Sequence, residues 1–251
     1  MGPIFRVSLR QLASRRRLLL IFILALLPIG LATLVSLTIS GEEASNRSFI
    51  NGLLDALLIS GILPIVIMVL ATATFGNELE DRTLSYLVLK PVARWRIVLP
   101  KLLAPITIGG PLLVASGIGA TILGASGLGV SLLALDNDVR AVVAVGVALL
   151  VGVISYAAIF TWTGLITTRA LAFGLVYVFL WEGLLSSFLD GIRYLSVRGY
   201  MLAVMHGLDD SSFATLEDRV IEFPAAIAGT IAVTVVFFFL SVRRLRRMDV
   251  P

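Results

Sequence analysis

Charged residues are concentrated in one stretch of this chain, Phe75–Lys101, which contains eight of them among 27 residues. Its sequence, FGNELEDRTLSYLVLKPVARWRIVLPK, combines carboxylates with arginines and lysines, so its side chains can form ion pairs within the chain or with a partner. Side chains suited to catalysis are scarce, because the chain has a single histidine, His206, and no cysteine. This composition excludes a cysteine nucleophile and a thiolate metal site, and it leaves little material for a histidine-based centre.

Glu182, in the sequence YVFLWEGLLSS, is the one ionisable residue well inside a predicted membrane span. A charge in the bilayer is costly unless it is paired, hydrated or protonated, so one interpretation gives Glu182 a functional role. In the other interpretation the span ends early, and Glu182 lies near the membrane interface beside Trp181, an aromatic anchor. The sequence leaves both interpretations open.

The residues around these charges form long apolar runs. The chain is 58% hydrophobic and 14% charged, with a mean hydropathy of +1.01. Since a helix needs about 20 apolar residues to cross the hydrocarbon core, the runs predict an all-α, polytopic membrane protein with six transmembrane helices in a single domain, residues 1–251. The predicted spans are approximately 18–40, 54–76, 101–124, 141–166, 170–189 and 222–242.

The distribution of basic residues predicts the orientation of these spans. Fifteen of the twenty basic residues fall on one side, which the positive-inside rule makes cytoplasmic. Both termini are then cytoplasmic, which requires an even number of spans. Before the first span, Phe5, Leu9 and Leu12 recur at helical spacing and predict a short interfacial helix, with an unstructured basic tail as the alternative.

The loop between the second and third spans has the pattern of an amphipathic helix. Asn77 is placed as its N-cap, and Pro91 stops it. One arc of its helical wheel is polar, and the members of that arc are Glu78, Asp81, Arg82 and Ser85. Glu80 points toward the apolar side and requires a partner. The helix is either a docking element for a soluble partner or a connector along the headgroups.

This loop resembles the cytoplasmic loop of type-2 ATP-binding-cassette (ABC) exporter permeases. In that family an acidic residue and a Thr-Leu pair precede an apolar run, which is followed by a Pro-x-x-Arg turn and a lysine that opens the third span. The matching residues are Glu80, Thr83, Leu84, Pro91, Arg94 and Lys101. The chain departs from the family at Arg82 and Pro100, where glycine is common. The layout of six spans and basic ends is also similar.

The resemblance implies a permease that forms the substrate path while a separate soluble ATPase supplies the energy. The chain contains no GxxxxGK[ST] phosphate loop, so it is expected to be a transporter subunit and not an enzyme. No cofactor is expected in this chain, and ATP and Mg would be bound by the partner. The resemblance further implies two ATPase subunits, a second permease that forms a homodimer, and a bacterial or archaeal plasma membrane, with no nucleic acid partner.

The resemblance also implies roles for individual residues. The loop helix would sit in a groove of the ATPase, with Glu78 and the rest of its polar arc facing that subunit. Glu80 would tie the helix to the membrane domain, while Arg94 and Lys101 would anchor the turn. The segment between the fifth and sixth spans would hold re-entrant helices, and the acidic residue Glu182 would serve helix packing or gating.

An ATPase-independent secondary transporter or a membrane scaffold is the alternative function. A secondary transporter typically has several intramembrane polar groups or an inverted repeat, whereas the sequence offers one carboxylate and no convincing repeat. The substrate is left open among lipids, drugs, peptides and other molecules.

Overall fold

The computed structural model describes residues 2–38, 49–80, 92–126, 135–167, 169–185, 194–214 and 221–247, and no strand occurs within these ranges. The helices are α1 Gly2–Leu12, α2 Arg15–Thr38, α3 Phe49–Glu80, α4 Trp95–Ser126, α5 Leu135–Ile166, α6 Ala170–Val176, α7 Val197–Leu208 and α8 Phe223–Arg246. Two segments are π-helical: Leu54–Ile62 lies within α3, and Tyr177–Leu185 continues α6. The prediction of an all-α chain is confirmed.

Among the described residues, five helices are long and apolar enough to cross a membrane, namely α2, α3, α4, α5 and α8. They correspond to five of the six predicted spans. The sixth, predicted at 170–189, falls on α6, where the apolar helix Ala170–Glu182 is shorter than the roughly 20 residues that a crossing requires. Residues 186–193 lie outside the described ranges, so the number six stays a prediction.

The N-terminal helix occurs where the sequence predicts it, as α1. Its apolar side is turned inward: Leu12 is fully buried and Phe5 and Leu9 pack against the core, while Arg6 and Arg10 are exposed. The helix packs against α4 and α3. Burial of this apolar stripe explains why a helix forms here instead of an unstructured tail, since amphipathic helices owe most of their stability to packing.

Helix α5 lies at the centre of the bundle and packs against α3, α4, α7 and α8. Small residues allow its neighbours to approach closely. A Cβ atom on Gly164 would lie 2.8 Å from the Thr72 carbonyl oxygen of α3, and one on Gly152 would lie 2.4 Å from the sulfur of Met201 in α7. Small residues at helix crossings are typical of membrane bundles, where close packing replaces the hydrophobic effect.

Helices α2 and α8 lie at the periphery. Only 28% and 22% of their most apolar stretches are buried, compared with 67% for α3 and α5. Large side chains such as Leu20, Ile23 and Phe239 are exposed on them. Apolar surface of this extent requires cover by lipid or by another subunit.

Helix α3 continues to Glu80, and this corrects one prediction made from the sequence. Asn77 lies inside the helix and is not an N-cap, so no new helix begins at Glu78. The apolar run ends near Phe75, but the following residues GNELE contain no proline, and the backbone ladder continues through them. The structure of residues 81–91, which hold most of the predicted amphipathic helix, lies outside the described ranges.

Candidate functional site

A buried ion pair joins the end of α3 to the start of α4. The Lys101 ammonium lies 2.7 Å from Oε1 of Glu78, and the two side chains are 1% and 9% exposed. The same ammonium donates a hydrogen bond to the Thr74 carbonyl oxygen and lies 4.4 Å from the centroid of the Phe75 ring. A buried lysine is tolerated when it is paired and hydrogen-bonded in this way. We call the group Thr74, Phe75, Glu78 and Lys101 the Lys101 clamp.

Helix α1 covers the Lys101 clamp and leaves a cavity of about 210 Å³ beneath it. Four residues of α1 line the cavity together with Glu78, Val92, Ile97 and Lys101. The second carboxylate oxygen of Glu78, Oε2, is buried and accepts no hydrogen bond within the described part of the chain. Residues of α1, α3 and α4 therefore surround the clamp. The clamp joins the end of α3 to the start of α4, the two helices that residues 81–91 connect in the sequence.

The structure shows where part of the predicted coupling loop lies. Glu78 is the buried carboxylate and Glu80 the exposed one, which reverses the directions expected from the helical wheel. The wheel assumed a separate helix starting at Glu78, whereas both residues follow the helical phase of α3. The carbonyl of Arg94 accepts hydrogen bonds from the backbone N–H groups of Ile97 and Val98, so Arg94 opens α4. The residues outside the described ranges are Asp81, Arg82, Thr83, Leu84, Ser85 and Pro91.

A second buried site forms around Glu182, which is fully buried in the π-helical segment after α6. Its carboxylate accepts hydrogen bonds from the Tyr177 hydroxyl at 3.0 Å and the Ser196 hydroxyl at 2.5 Å. It also accepts from the backbone N–H groups of Val197 at 3.0 Å and Arg198 at 3.3 Å. The first N–H groups of a helix lack partners within that helix and favour an anion. Glu182 thus caps α7 from another helix.

Arg198 extends this site to α3. Its guanidinium forms a bidentate pair with the carboxylate of Asp55, with nitrogen–oxygen distances of 2.8 and 2.7 Å. Asp55 and Glu182 both lie in π-helical segments, which occur frequently at functional sites. The beginning of α7 is therefore bound to two other helices through two carboxylates. We call Asp55, Glu182, Ser196 and Arg198 the α7 anchor.

Sequence reasoning identified Glu182 but missed its partners. Asp55 is visible as a charge at the start of the second predicted span, and this was the available signal. Its partner Arg198 is 143 residues away in the chain, and no local pattern links the two. Glu182 is fully buried and contacts α7, which supports a role in helix packing, and its depth in the membrane stays a prediction.

The apolar sequence YMLAVM, residues 200–205, lies in α7, where all six residues are buried. Tyr200 reaches α8, since a Cβ atom on Gly229 would lie 2.6 Å from its ring, and its hydroxyl donates to the Tyr194 carbonyl at 2.6 Å. Helix α7 is thus held along its length as well as at its start. Whether it is re-entrant in the membrane stays a prediction.

Neither of these buried sites resembles a metal centre. In the described ranges, no group of three or more histidine and acidic residues is placed to hold a metal ion. His206 lies in the last turn of α7 and is partly buried. The carboxylates of the Lys101 clamp and the α7 anchor instead bind cations and N–H groups of the chain itself, which suits a structural or mechanical role.

The amino-acid sequence matches a known protein family. The family described as "ABC-2 family transporter protein" matches residues 13–183, which is more than half of the chain. The matched region runs from the start of α2 to the segment after α6, and it contains Glu78, Lys101 and Glu182. A search of curated proteins found no match. The chain therefore belongs to the ABC-2 transporter permease family and is a multi-pass membrane permease component of an ABC transporter.

Proposed function

We propose that the chain is the permease of an ATP-driven exporter and that loop 77–101 couples it to a separate ATPase subunit. The observation that carries this proposal is the Lys101 clamp, which joins the two helix ends that flank the loop. A force applied by a partner at residues 81–91 would reach α3 and α4 together, because the clamp prevents the two ends from moving apart. Without such a connection, each helix end could yield separately and absorb the motion.

The buried position of the clamp supports a mechanical role. A surface ion pair contributes little and is easily broken, whereas a buried pair holds one geometry, since separating its charges leaves each of them uncompensated. The ammonium is fixed further by the Thr74 carbonyl and the Phe75 ring. The two side chains are only 1% and 9% exposed, so competition from solvent is reduced.

The proposed docking surface lies outside the clamp. The exposed carboxylate of Glu80 continues into the polar residues Asp81, Arg82 and Ser85, which would contact the ATPase, with Thr83 and Leu84 completing the motif. In this arrangement Glu78 serves the clamp instead of facing the partner. The complete transporter would contain two permeases as a homodimer and two ATPase subunits that bind ATP and Mg, with both permease termini on the cytoplasmic side of a bacterial or archaeal plasma membrane.

The proposal is tested by affinity purification of the chain from its native membrane in mild detergent. We expect a soluble ATPase to copurify in stoichiometric amount and to hydrolyse ATP. The double variant E80A/R94A should lower its recovery at least tenfold. The variant R10A/R16A, which changes exposed basic residues of α1 and α2, is the control and should retain it.

One outcome would contradict the proposal. If the chain is recovered without an ATPase even after gentle crosslinking in the membrane, coupling through loop 77–101 is wrong. An ATPase-independent secondary transporter or a membrane scaffold would then be the better interpretation.

A further inference from the structure

A groove of about 470 Å³ lies between the end of α8 and the start of α4. Its lining residues are Trp95, Phe238, Phe239, Val242, Arg243 and Arg246. Two of the aromatic side chains are open to the surroundings, since Trp95 is 41% exposed and Phe239 is 64% exposed. The groove thus has an apolar floor and the exposed guanidinium groups of Arg243 and Arg246 at one end, and the guanidinium of Arg96 lies 5.4 Å from the centroid of the Trp95 ring.

The order of these residues along α8 gives the groove its direction. The apolar stretch of α8 ends at Val242, and the arginines begin with the next residue. Arg243 and Arg246 are three residues apart and share one side of the helix, whereas Arg244 is about 100° away from Arg243. Because α8 is long and apolar enough to span a membrane, the groove crosses the level where hydrocarbon gives way to headgroups.

We propose that this groove binds an anionic phospholipid from the leaflet in which α8 ends. An acyl chain would lie against Trp95, Phe239 and Val242, and the phosphate would accept hydrogen bonds from Arg243 and Arg246. Guanidinium groups bind phosphate oxygens in bidentate geometry, and tryptophan is enriched at the level of the headgroups. Basic pockets between transmembrane helices bind anionic headgroups in this manner.

The chemistry of the groove favours a lipid over other occupants. A free phosphate would use the two arginines but would leave the apolar floor in contact with water. An acidic protein surface would pair with the arginines, but it would not reach the aromatic side chains that lie on the membrane side of them. An anionic phospholipid matches both parts, with the charge at one end and the hydrocarbon at the other.

Binding at this position would connect two parts of the bundle. Trp95 is the first residue of α4, and Arg246 is the last residue of α8. A lipid seated between them would bridge the start of α4, where the charged loop returns, to the end of the chain's last described helix. The inference depends on the chain spanning a membrane and does not depend on the proposed coupling to an ATPase.

Tryptophan fluorescence provides the test, because Trp95 lines the groove. The chain contains three tryptophans, so the variant W162F/W181F leaves Trp95 as the single fluorophore. This variant is reconstituted into phosphatidylcholine vesicles that contain a small fraction of brominated phosphatidylglycerol or, for comparison, brominated phosphatidylcholine. Each arginine near a headgroup favours an anionic lipid by about 1 kcal/mol. We therefore expect phosphatidylglycerol to quench Trp95 at a roughly thirtyfold lower mole fraction than phosphatidylcholine.

Two charge-matched variants separate the groove from general electrostatic attraction. R243Q/R246Q should remove the preference for phosphatidylglycerol, whereas R244Q/R247Q, which changes arginines outside the groove lining, should keep it within about threefold. Inorganic phosphate, compared with chloride at the same ionic strength, should leave the quenching unchanged. Equal quenching by the two lipids, equal loss in both double variants, or displacement by inorganic phosphate would each overturn the proposal.

A second measurement covers the case in which the single-tryptophan variant does not fold. Native mass spectrometry of the chain with all three tryptophans, released from vesicles of equal phosphatidylglycerol and phosphatidylcholine content, counts the lipids that stay bound. One retained phosphatidylglycerol per chain, lost in R243Q/R246Q and kept in R244Q/R247Q, is the expected result. Retention that does not differ between the two double variants would contradict the proposed site.

Discussion

Lys101 is the residue at which the energetics of the proposed site can be examined most directly. Its ammonium is 1% exposed and has Glu78, the Thr74 carbonyl and the Phe75 ring as neighbours. Removal of one member of a buried ion pair costs about 3–5 kcal/mol because the remaining charge is left uncompensated. Replacement of both members by apolar side chains of similar volume is often nearly neutral. A single substitution and a double substitution both remove the pair, and the two variants should differ in stability.

We predict that K101M lowers the free energy of unfolding by about 3–5 kcal/mol and that E78L/K101M recovers most of this loss. Denaturation in detergent, followed by circular dichroism, measures both values. If the clamp transmits motion, the stable double variant should still bind the ATPase. ATP hydrolysis should then drive a smaller conformational change of the transmembrane helices than in the unchanged chain. A double variant that is stable and fully coupled would show that the ion pair serves only packing.

The sequence is sufficient to identify three charged residues of the two buried sites, namely Glu78, Lys101 and Glu182. It does not predict their contacts. A charge in an apolar chain stands out, and each of the three lies near or within an apolar run. Pairing depends on the rotation of each helix about its axis, which is set by packing between helices. For this reason the helical wheel predicts the opposite directions for Glu78 and Glu80 from those observed, and no sequence pattern links Asp55 to Arg198.

At the scale of elements, α7 shows how a short helix is fixed without spanning the bundle. Its N-terminal N–H groups donate to Glu182, its one arginine, Arg198, pairs with Asp55, and its side chains pack against α5 and α8. A 12-residue helix is marginal alone, so these contacts supply its stability. The α7 anchor should therefore control whether α7 stays in place.

We predict that E182A destabilises α7 by about 3 kcal/mol, because the Ser196 hydroxyl and two backbone N–H groups lose their acceptor at roughly 1–3 kcal/mol each. E182Q keeps one acceptor oxygen and should cost about half as much. Limited trypsin digestion measures the effect, since Arg198 becomes accessible when α7 loosens. Equal protection of Arg198 in E182A and the unchanged chain would contradict the anchoring role.

Helix positions were largely predictable from the sequence because apolar length determines which segments can span a membrane. The predicted span 222–242 and the observed α8, Phe223–Arg246, begin within one residue of each other. Helix ends were less predictable. Helix α3 continues to Glu80, beyond the predicted span 54–76, and α4 begins at Trp95, before the predicted span 101–124. Backbone hydrogen bonding extends each helix beyond its apolar run.

At the scale of the whole molecule, the described chain leaves much apolar surface uncovered on α2, on α8 and on the segment Ala170–Glu182. Helix α6 and the π-helical segment that continues it expose Phe173, Val176 and Phe179 at 62%, 60% and 65%. These residues recur at intervals of three and form an exposed stripe, whereas Glu182 in the same segment is fully buried. Lipid or another subunit must cover such a stripe, and in the homodimer proposed above each copy would present one face to the other.

We predict that this exposed stripe lies close to its counterpart in a second copy. The chain has no cysteine, so the single substitution F179C introduces one reactive thiol, and V236C on the exposed side of α8 provides a matched control. Oxidation in the native membrane should produce a disulfide-linked dimer for F179C and monomer for V236C, because a disulfide requires Cα atoms within about 7 Å. Crosslinking of V236C alone would move the dimer contact to α8. Native mass spectrometry of the assembly should then show an even number of permeases in either case, and a single permease per assembly would contradict the homodimer.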